Sequence, residues 1–172
     1  MAAKSVSRKK TPAKQIAPRP TTVDMPAGYV PKGTKPKFLP WDWVTERLER
    51  SHNYWICSTR PDGRPHAAPV WGVWHDGAVV FSTDPHSRKA QNLAKNPAVT
   101  IHLESGDETV ILEGIIEKIK LNSGIDDAYN KKYKMQLSSF PGPVGVFSLK
   151  PKKVLAWREK DFVTSATKWM FT

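Results

Sequence analysis

Apolar and polar residues alternate in short runs between residues 54 and 120, and this pattern predicts a series of β-strands. The first three runs cover residues 54–59, 66–74 and 78–83, with Asp62-Gly63 and Asp76-Gly77 between them. Asp-Gly between such runs is a strong hairpin signal, because glycine accepts the positive φ of a tight turn. We therefore expect three consecutive antiparallel strands.

The same alternation continues after a predicted helix that begins at Ser87 and is ended by Pro97. Residues 98–104 and 108–120 read as two more strands, and Gly114 in the second is expected to form a β-bulge. Two last strands, joined at Lys150-Pro151, are predicted over 144–149 and 153–157.

Two further helices complete the pattern. One follows Pro40, with Asp42 as its expected N-cap, and the other covers residues 123–137. The total is about seven strands and three helices. Antiparallel strands at this spacing favour a mainly β fold, a barrel of six or seven strands.

The positive charge of the chain is concentrated in its first 40 residues. They hold nine Lys or Arg against one acid, Asp24, and so carry +8 of the net +11. Residues 1–38 are also rich in proline and show almost no periodicity, so we predict a disordered basic tail and a folded domain over 39–172. The tail suits a solubilising extension better than a nucleic-acid arm, because it lacks interleaved aromatic residues.

Several classes of protein are disfavoured by what the sequence lacks. The single cysteine, Cys57, excludes an intramolecular disulfide framework, and we expect it to be buried as a small apolar residue. No metal-ligand spacing joins the histidines, and no Rossmann glycine motif follows a strand. No apolar run is long enough to span a membrane, and no secretory leader is evident. We expect a cytoplasmic protein without a membrane partner.

The start of the helix at Ser87 is a candidate anion site. Ser82 and Thr83 end the third strand, and the helix then opens with Ser87, Arg88 and Lys89. A serine cap, unpaired backbone N–H groups and the positive end of the helix dipole favour a phosphate-sized anion. Two cations at a helix N-terminus are otherwise unfavourable, so their presence indicates a site.

The order of these motifs resembles a known superfamily. STRPDGRPHAAPVW (58–71), DGAVVFST (76–83), SRKAQNLAKNP (87–97) and VILEGIIEKI (110–119) are similar to the pyridoxamine 5′-phosphate oxidase-like flavin and deazaflavin oxidoreductases. PKKVLAW (151–157) and ATKWMF (166–171) look like the branch that uses the deazaflavin coenzyme F-420. The resemblance covers residues 41–172 and implies a split β-barrel homodimer with the cofactor in a cleft between subunits.

The resemblance also implies a set of cofactor-binding residues. Ser87, Arg88 and Lys89 would hold the phosphate near Ser82 and Thr83; Pro69, Val70 and Trp71 would line the ring; and Lys168 and Trp169 would approach the cleft from the C-terminus. Lysine stands at 168 where arginine is more usual, and it is a point charge rather than a bidentate fork. The chain lacks the Arg-Leu-His-Asp-Arg-like ending of true pyridoxamine 5′-phosphate oxidases, so that activity is not expected.

The resulting hypothesis is hydride transfer between reduced F-420 and a small organic substrate. FMN is the alternative cofactor, because both molecules carry a phosphate that the anion site would accept. A non-catalytic carrier or sensor of flavin or haem is the alternative from another class. No catalytic residue can be assigned, although His66 could supply a proton; it lies five residues from Trp71 and so on the opposite face of the strand. A cofactor enzyme needs few protein acids or bases, because the ring does the chemistry.

Overall fold

The computed structural model describes residues 17–26 and 28–172. Its strands are β1 Thr21–Thr22, β2 Asn53–Thr59, β3 Pro65–His75, β4 Ala78–Thr83, β5 Ala98–His102, β6 Glu108–Ile119, β7 Gly145–Arg158 and β8 Thr167–Met170. Its α-helices are α1 Trp41–Arg50, α2 Arg88–Lys95, α3 Ser123–Tyr133 and α4 Phe162–Ser165, and 3-10 turns cover Leu137–Ser139 and Glu159–Asp161.

Six of the strands close into an antiparallel barrel. The order is β7-β4-β3-β2-β5-β6, and β6 pairs with β7 to complete the ring. The long β7 pairs with β4 through residues 145–149 and with β8 through residues 153–156. The prediction of a mainly β antiparallel barrel is confirmed, and β1 and β8 extend the sheet beyond it.

The barrel interior forms the main core, and two helices contribute to it. Tyr54, Ile56, Phe81 and Leu112 are fully or almost fully buried there. Val44 and Leu48 of α1, and Ala90 and Leu93 of α2, pack into the same core. The third helix, α3, covers the outside of β3 and β4 through a second core that includes Val73, Val80, Ile125 and Tyr129.

Local turn chemistry behaves as the sequence predicts. Asp76 and Gly77 both have positive φ, 49° and 74°, in the two-residue hairpin between β3 and β4. The register of β6 against β7 shifts between Glu113 and Gly114, which confirms the predicted bulge. Pro151 lies opposite Gly114. A proline has no backbone N–H to donate to the neighbouring strand, and at Pro151 the hydrogen bonding between β6 and β7 is already interrupted by the bulge.

Four details of the prediction are wrong. Residues 144–149 and 153–157 belong to one continuous strand, β7, because the bulge accommodates Pro151 without ending the pairing. The residue before α1 is Pro40, and Asp42 lies inside the first turn rather than at the cap. The helix α3 ends at Tyr133, where Lys134 adopts a left-handed conformation. Cys57 points away from the barrel interior and is only partly buried; desolvation still raises the pKa of its thiol.

Part of the segment predicted to be disordered is attached to the barrel. β1 pairs with β8 through Thr21 and Thr22, and Asp24 forms a 2.7 Å ion pair with Lys168. The ring of Tyr29 lies edge-on against the ring of Phe162, with centroids 6.1 Å apart, so this part of the segment also contacts the domain. The predicted disorder of residues 1–16 lies outside the described residues. No helix in the described ranges has the length and apolar character to cross a membrane.

Candidate functional site

The turn between β4 and α2 builds the start of the predicted anion site. Ser87 caps α2 by accepting a 3.2 Å hydrogen bond from the backbone N–H of Ala90. Its hydroxyl also lies 3.0 Å from that of Thr83 at the end of β4. The first turn of α2 contains no acidic residue to balance Arg88 and Lys89. The sequence-predicted residues Thr83, Ser87, Arg88 and Lys89 therefore come together.

A third cation and a histidine join them. Desolvation lowers the pKa of His66, and the positive charges of Arg60, Lys89 and Arg88 lower it further, so these side chains lie close together. We call Arg60, Arg88 and Lys89 the cation cluster. Asp62, the nearest acid in sequence to Arg60, forms its ion pair with Arg64 at 2.7 Å and interacts with Arg60 only through a weaker electrostatic effect. Within the described part of the chain, no carboxylate pairs with Arg60, Arg88 or Lys89. A cluster of uncompensated cations attracts an anion.

Polar groups beneath the cluster lack hydrogen-bond partners. Asn92 of α2 is fully buried and donates a 3.1 Å hydrogen bond to Ser58 of β2, but its Oδ1 has no partner. Arg60 Nε and His66 Nδ1 are likewise buried without a partner. Buried polar atoms are nearly always hydrogen-bonded. Arg60 Nε and a protonated His66 Nδ1 are donors that an anion would satisfy, whereas the Asn92 oxygen is an acceptor and requires a donor. Sequence reasoning missed Arg60 and Asn92; the one available signal for Asn92 was a polar residue next to Leu93 on the buried side of α2.

The predicted ring wall lies farther along β3. Pro69 and Trp71 point outward, and Trp71 is 45% exposed. Val70 points the opposite way into the barrel core, so only its backbone could face a ring. The indole of Trp71 stacks on Tyr133 of α3 with centroids 4.8 Å apart and planes 4° from parallel, and His52 lies edge-on at 5.7 Å. Tyr133 and His52 are further members of this aromatic cluster that the sequence did not reveal.

Hydrogen bonds from α3 fix the backbone of β3 beside Trp71. The Tyr129 hydroxyl donates to Trp71 O at 2.9 Å, and Lys132 Nζ donates to Gly72 O at 2.8 Å. Gly72 N–H donates to the Tyr133 hydroxyl at 2.9 Å. We call these three side chains, Tyr129, Lys132 and Tyr133, the α3 clamp. Desolvation lowers the pKa of Lys132 to about 8 and raises that of Tyr133 to about 12.

Ser82 lies beside Tyr129 of the α3 clamp. Burial raises the pKa of the Tyr129 hydroxyl, and a hydrogen bond with Ser82 partly opposes that effect, which locates Ser82 beside the clamp. Ser82 is thus near Tyr129, whereas the Thr83 hydroxyl lies beside that of Ser87 at the start of α2.

The two ends of the site are separated along one strand. His66 and Trp71 are five residues apart on β3, and a strand rises about 3.3 Å per residue, so they lie about 16 Å apart. Their side chains point to opposite faces of the sheet, His66 with the buried Ser58 and Trp71 outward, so the separation alone does not define one binding groove. Each end by itself fits part of a phosphate-bearing ring cofactor, since cations without ion-pair partners lie at one end and a half-exposed indole lies at the other.

Comparison with known proteins assigns the fold to a family. A family model described as pyridoxamine 5′-phosphate oxidase matches residues 41–158. The chain belongs to the pyridoxamine 5′-phosphate oxidase family. It is 30% identical over 120 residues to the pyridoxine/pyridoxamine 5′-phosphate oxidase of Bacteroides fragilis, an alignment covering 67% of this chain and 48% of that protein. The chain therefore spans about half the length of this curated relative.

Solved structures of the same fold carry different names. An F-420 reductase superposes with a TM-score of 0.53 at 22% identity, over 73% of this chain and 98% of its own. The haem storage protein HutZ of Vibrio cholerae superposes with a TM-score of 0.53 at 16% identity, over 63% and 87%. At these identities the likeness is one of fold.

In this member of the pyridoxamine 5′-phosphate oxidase family, the C-terminal candidates occupy other environments. Trp169 is 1% exposed and packs inside the barrel, 5.4 Å from Trp41 between ring centroids. Lys168 points the other way and is held by Asp24. The position of Trp169 is explained by core packing and that of Lys168 by its ion pair with Asp24. Within this chain, neither side chain reaches the cation cluster. Their role toward a cofactor stays a prediction.

Proposed function

We propose that this protein is a cytoplasmic oxidoreductase that binds a phosphate-bearing flavin-type cofactor, with coenzyme F-420 as the first candidate and FMN as the alternative. The observation that carries the proposal is the uncompensated cation cluster at the start of α2. Arg60, Arg88 and Lys89 form no ion pair in the described ranges, and Arg60 Nε and His66 Nδ1 are buried without a hydrogen-bond partner. Family membership agrees with this proposal.

The residues divide the work of binding between the two ends. Arg88, Lys89 and the Ser87 cap would hold the phosphate, because charge-assisted hydrogen bonds are about twice as strong as neutral ones. The exposed face of β3 at Pro69 and Trp71 would orient the ring, and the α3 clamp keeps that backbone fixed. The cofactor, when bound, supplies hydride transfer to or from a small organic substrate.

A second copy of the chain is the partner that we propose to complete the cleft. Trp71, Ile115 and Met170 are large apolar residues with 45%, 40% and 54% exposure. Ile115 and Met170 also line a groove of about 660 Å³ on the outer face, together with Cys57 and Thr100. Exposed apolar surface of this kind marks interaction sites. A sedimentation mass equal to two chains would support the dimer, and a monomer at cofactor-saturating concentration would contradict it.

Turnover separates an enzyme from a carrier. The protein is loaded with reduced F-420, or with FMN and a reductant, and mixed with a panel of small organic acceptors and with oxygen. Acceptor-dependent reoxidation faster than that of the cofactor alone supports an oxidoreductase. Tight binding without any acceleration would favour a storage or carrier role, the activity that the name of the Vibrio cholerae structure records for that protein.

A further inference from the structure

We propose that His66 is an additional ligand of the anion and that its imidazole takes up a proton when the anion binds. The affinity of the site for a dianion would then depend on pH. This inference deepens the proposed function, and rests on it only for the presence of a phosphate-like group at the start of α2. It adds a residue and a pH dependence to that site.

The position of His66 supports a direct role. The residue pairs with Ser58 across β2 and β3, on the same face of the sheet, and Ser58 accepts the hydrogen bond from Asn92 of α2. His66 Nδ1 is buried and has no partner, and Arg60 Nε is in the same condition. Leaving a buried polar group without a hydrogen bond is unfavourable. An anion between these groups would satisfy both at once.

The charges around His66 explain the proton. The groups that act on its imidazole are Arg60 from the turn between β2 and β3, and Arg88 and Lys89 from α2. All are cations, and no carboxylate is among the charges that shift the pKa of His66, although Asp62 interacts electrostatically with Arg60. Desolvation and these cations lower the pKa of His66, so that the ring is neutral near neutral pH without a ligand. A dianion beside it reverses the sign of the local field and favours the imidazolium form.

The direction of the pH dependence follows from the coupling between proton uptake and anion binding. A group whose pKa rises on binding takes up a proton, so the ligand binds more tightly at low pH. Affinity should fall by up to about tenfold per pH unit between the pKa of His66 in the free protein and its pKa in the complex. Above the second value the affinity should become constant, because no proton is then taken up.

Sulfate is the probe, because it stays doubly ionised throughout this range and contributes no titration of its own. The ring protons of the five histidines are followed by NMR in the full chain, with and without saturating sulfate. The His66→Gln variant identifies the resonance. We expect the pKa of His66 to rise by at least about one unit with sulfate. An unchanged pKa, or no sulfate binding at all, would overturn the inference.

Sulfate affinity gives the second readout. In the unaltered protein it should weaken by roughly tenfold or more between about pH 5.5 and about pH 7.5, and in His66→Gln it should change little. His86→Gln is the matched control, since His86 is exposed and immediately precedes the Ser87 cap; it should keep the full dependence. A His66→Gln protein that retains the dependence would contradict the proposal.

The outcomes are separable from those of the proposed function. If neither FMN nor F-420 binds but sulfate shows the pH dependence, the cofactor assignment fails and the role of His66 stands. If a cofactor binds and sulfate affinity is independent of pH, only the role of His66 fails.

Discussion

The side chains at the start of α2 have different roles in the folded protein. The Ser87 hydroxyl already has hydrogen-bond partners within the protein, since it accepts from the backbone N–H of Ala90 and lies within hydrogen-bond distance of Thr83. Arg88 and Lys89 make no such contacts in the described part of the chain, and their charges raise the electrostatic potential at the helix N-terminus. The fold does not depend on contacts of these two cations, which makes them good positions for substitution.

Lys89→Ala should weaken cofactor binding without lowering stability. Loss of one charge-assisted contact corresponds to about 1.5–3 kcal/mol of binding free energy. Lys95→Ala removes a lysine from the last turn of the same helix and should leave affinity unchanged. Fluorescence titration with FMN and with F-420 measures both variants. Equal affinity of Lys89→Ala and the unaltered protein would remove Lys89 from the site.

At the scale of elements, the α3 clamp connects the helix to the strand that carries Trp71. Lys132 contacts Gly72 O, lies 3.2 Å from the Tyr54 hydroxyl and sits 4.6 Å from the centre of the Tyr54 ring. The charge is thus partly desolvated. Because the folded-state pKa of Lys132 is about 8, against 10.5 for an unperturbed lysine, the unfolded chain binds more protons between these values.

The free energy of unfolding should therefore rise with pH from about 8 toward about 10. The slope should stay below roughly 1.4 kcal/mol per pH unit, the limit for a difference of one bound proton between the folded and unfolded states. Lys132→Met should abolish this rise, and Lys131→Met, at the exposed neighbouring position, should keep it. Above pH 10 stability should fall, since burial raises the pKa of Tyr54, Tyr129 and Tyr133 in the folded state. Urea unfolding at each pH measures both trends. A rise of equal slope in Lys132→Met would refute the clamp as its cause.

The bulge that joins β6 to β7 is the second element with a sharp test. A Cβ on Gly114 would lie 2.9 Å from Lys150 O and 3.3 Å from Leu149 Cδ1, so backbone would have to move. Gly114→Ala should lower the free energy of unfolding by about 1–3 kcal/mol, as overpacking does. Gly106→Ala is the control, because nothing lies within 4 Å of its Cβ position. Equal stability of the two variants would show that the bulge can relax.

At the scale of the whole molecule, the barrel separates stability from binding. The strands β2 to β7 enclose the core, while Trp71 points outward and the side chains of Arg88 and Lys89 are not buried. The described N-terminal segment adds β1 to the far edge and engages Lys168 through Asp24. Exposed site residues such as Arg88 can therefore be changed with little effect on the fold, whereas the buried Asn92 joins α2 to β2 and cannot.

The sequence predicts the parts of this arrangement that depend on local order. Strand alternation, Asp-Gly turns and the Gly114 bulge involve neighbouring residues, and all are confirmed. The continuity of β7 through Pro151 could not be predicted, because it depends on Gly114 from another strand. Arg60, Asn92 and Tyr133 reach the site only through tertiary packing, so no local spacing indicates them. Trp169 illustrates a different limit, since residue type does not distinguish a core tryptophan from one in a cleft.

The most direct measurement is quenching of tryptophan fluorescence on titration with F-420, FMN and riboflavin. Riboflavin has the ring of FMN and lacks its phosphate, so it isolates the contribution of the cation cluster. The structure carries Trp71 at one end of the site and uncompensated cations at the other. We predict saturable quenching by F-420 or FMN and much weaker binding of riboflavin. Riboflavin binding as tightly as FMN, or no quenching by any of the three, would contradict the account.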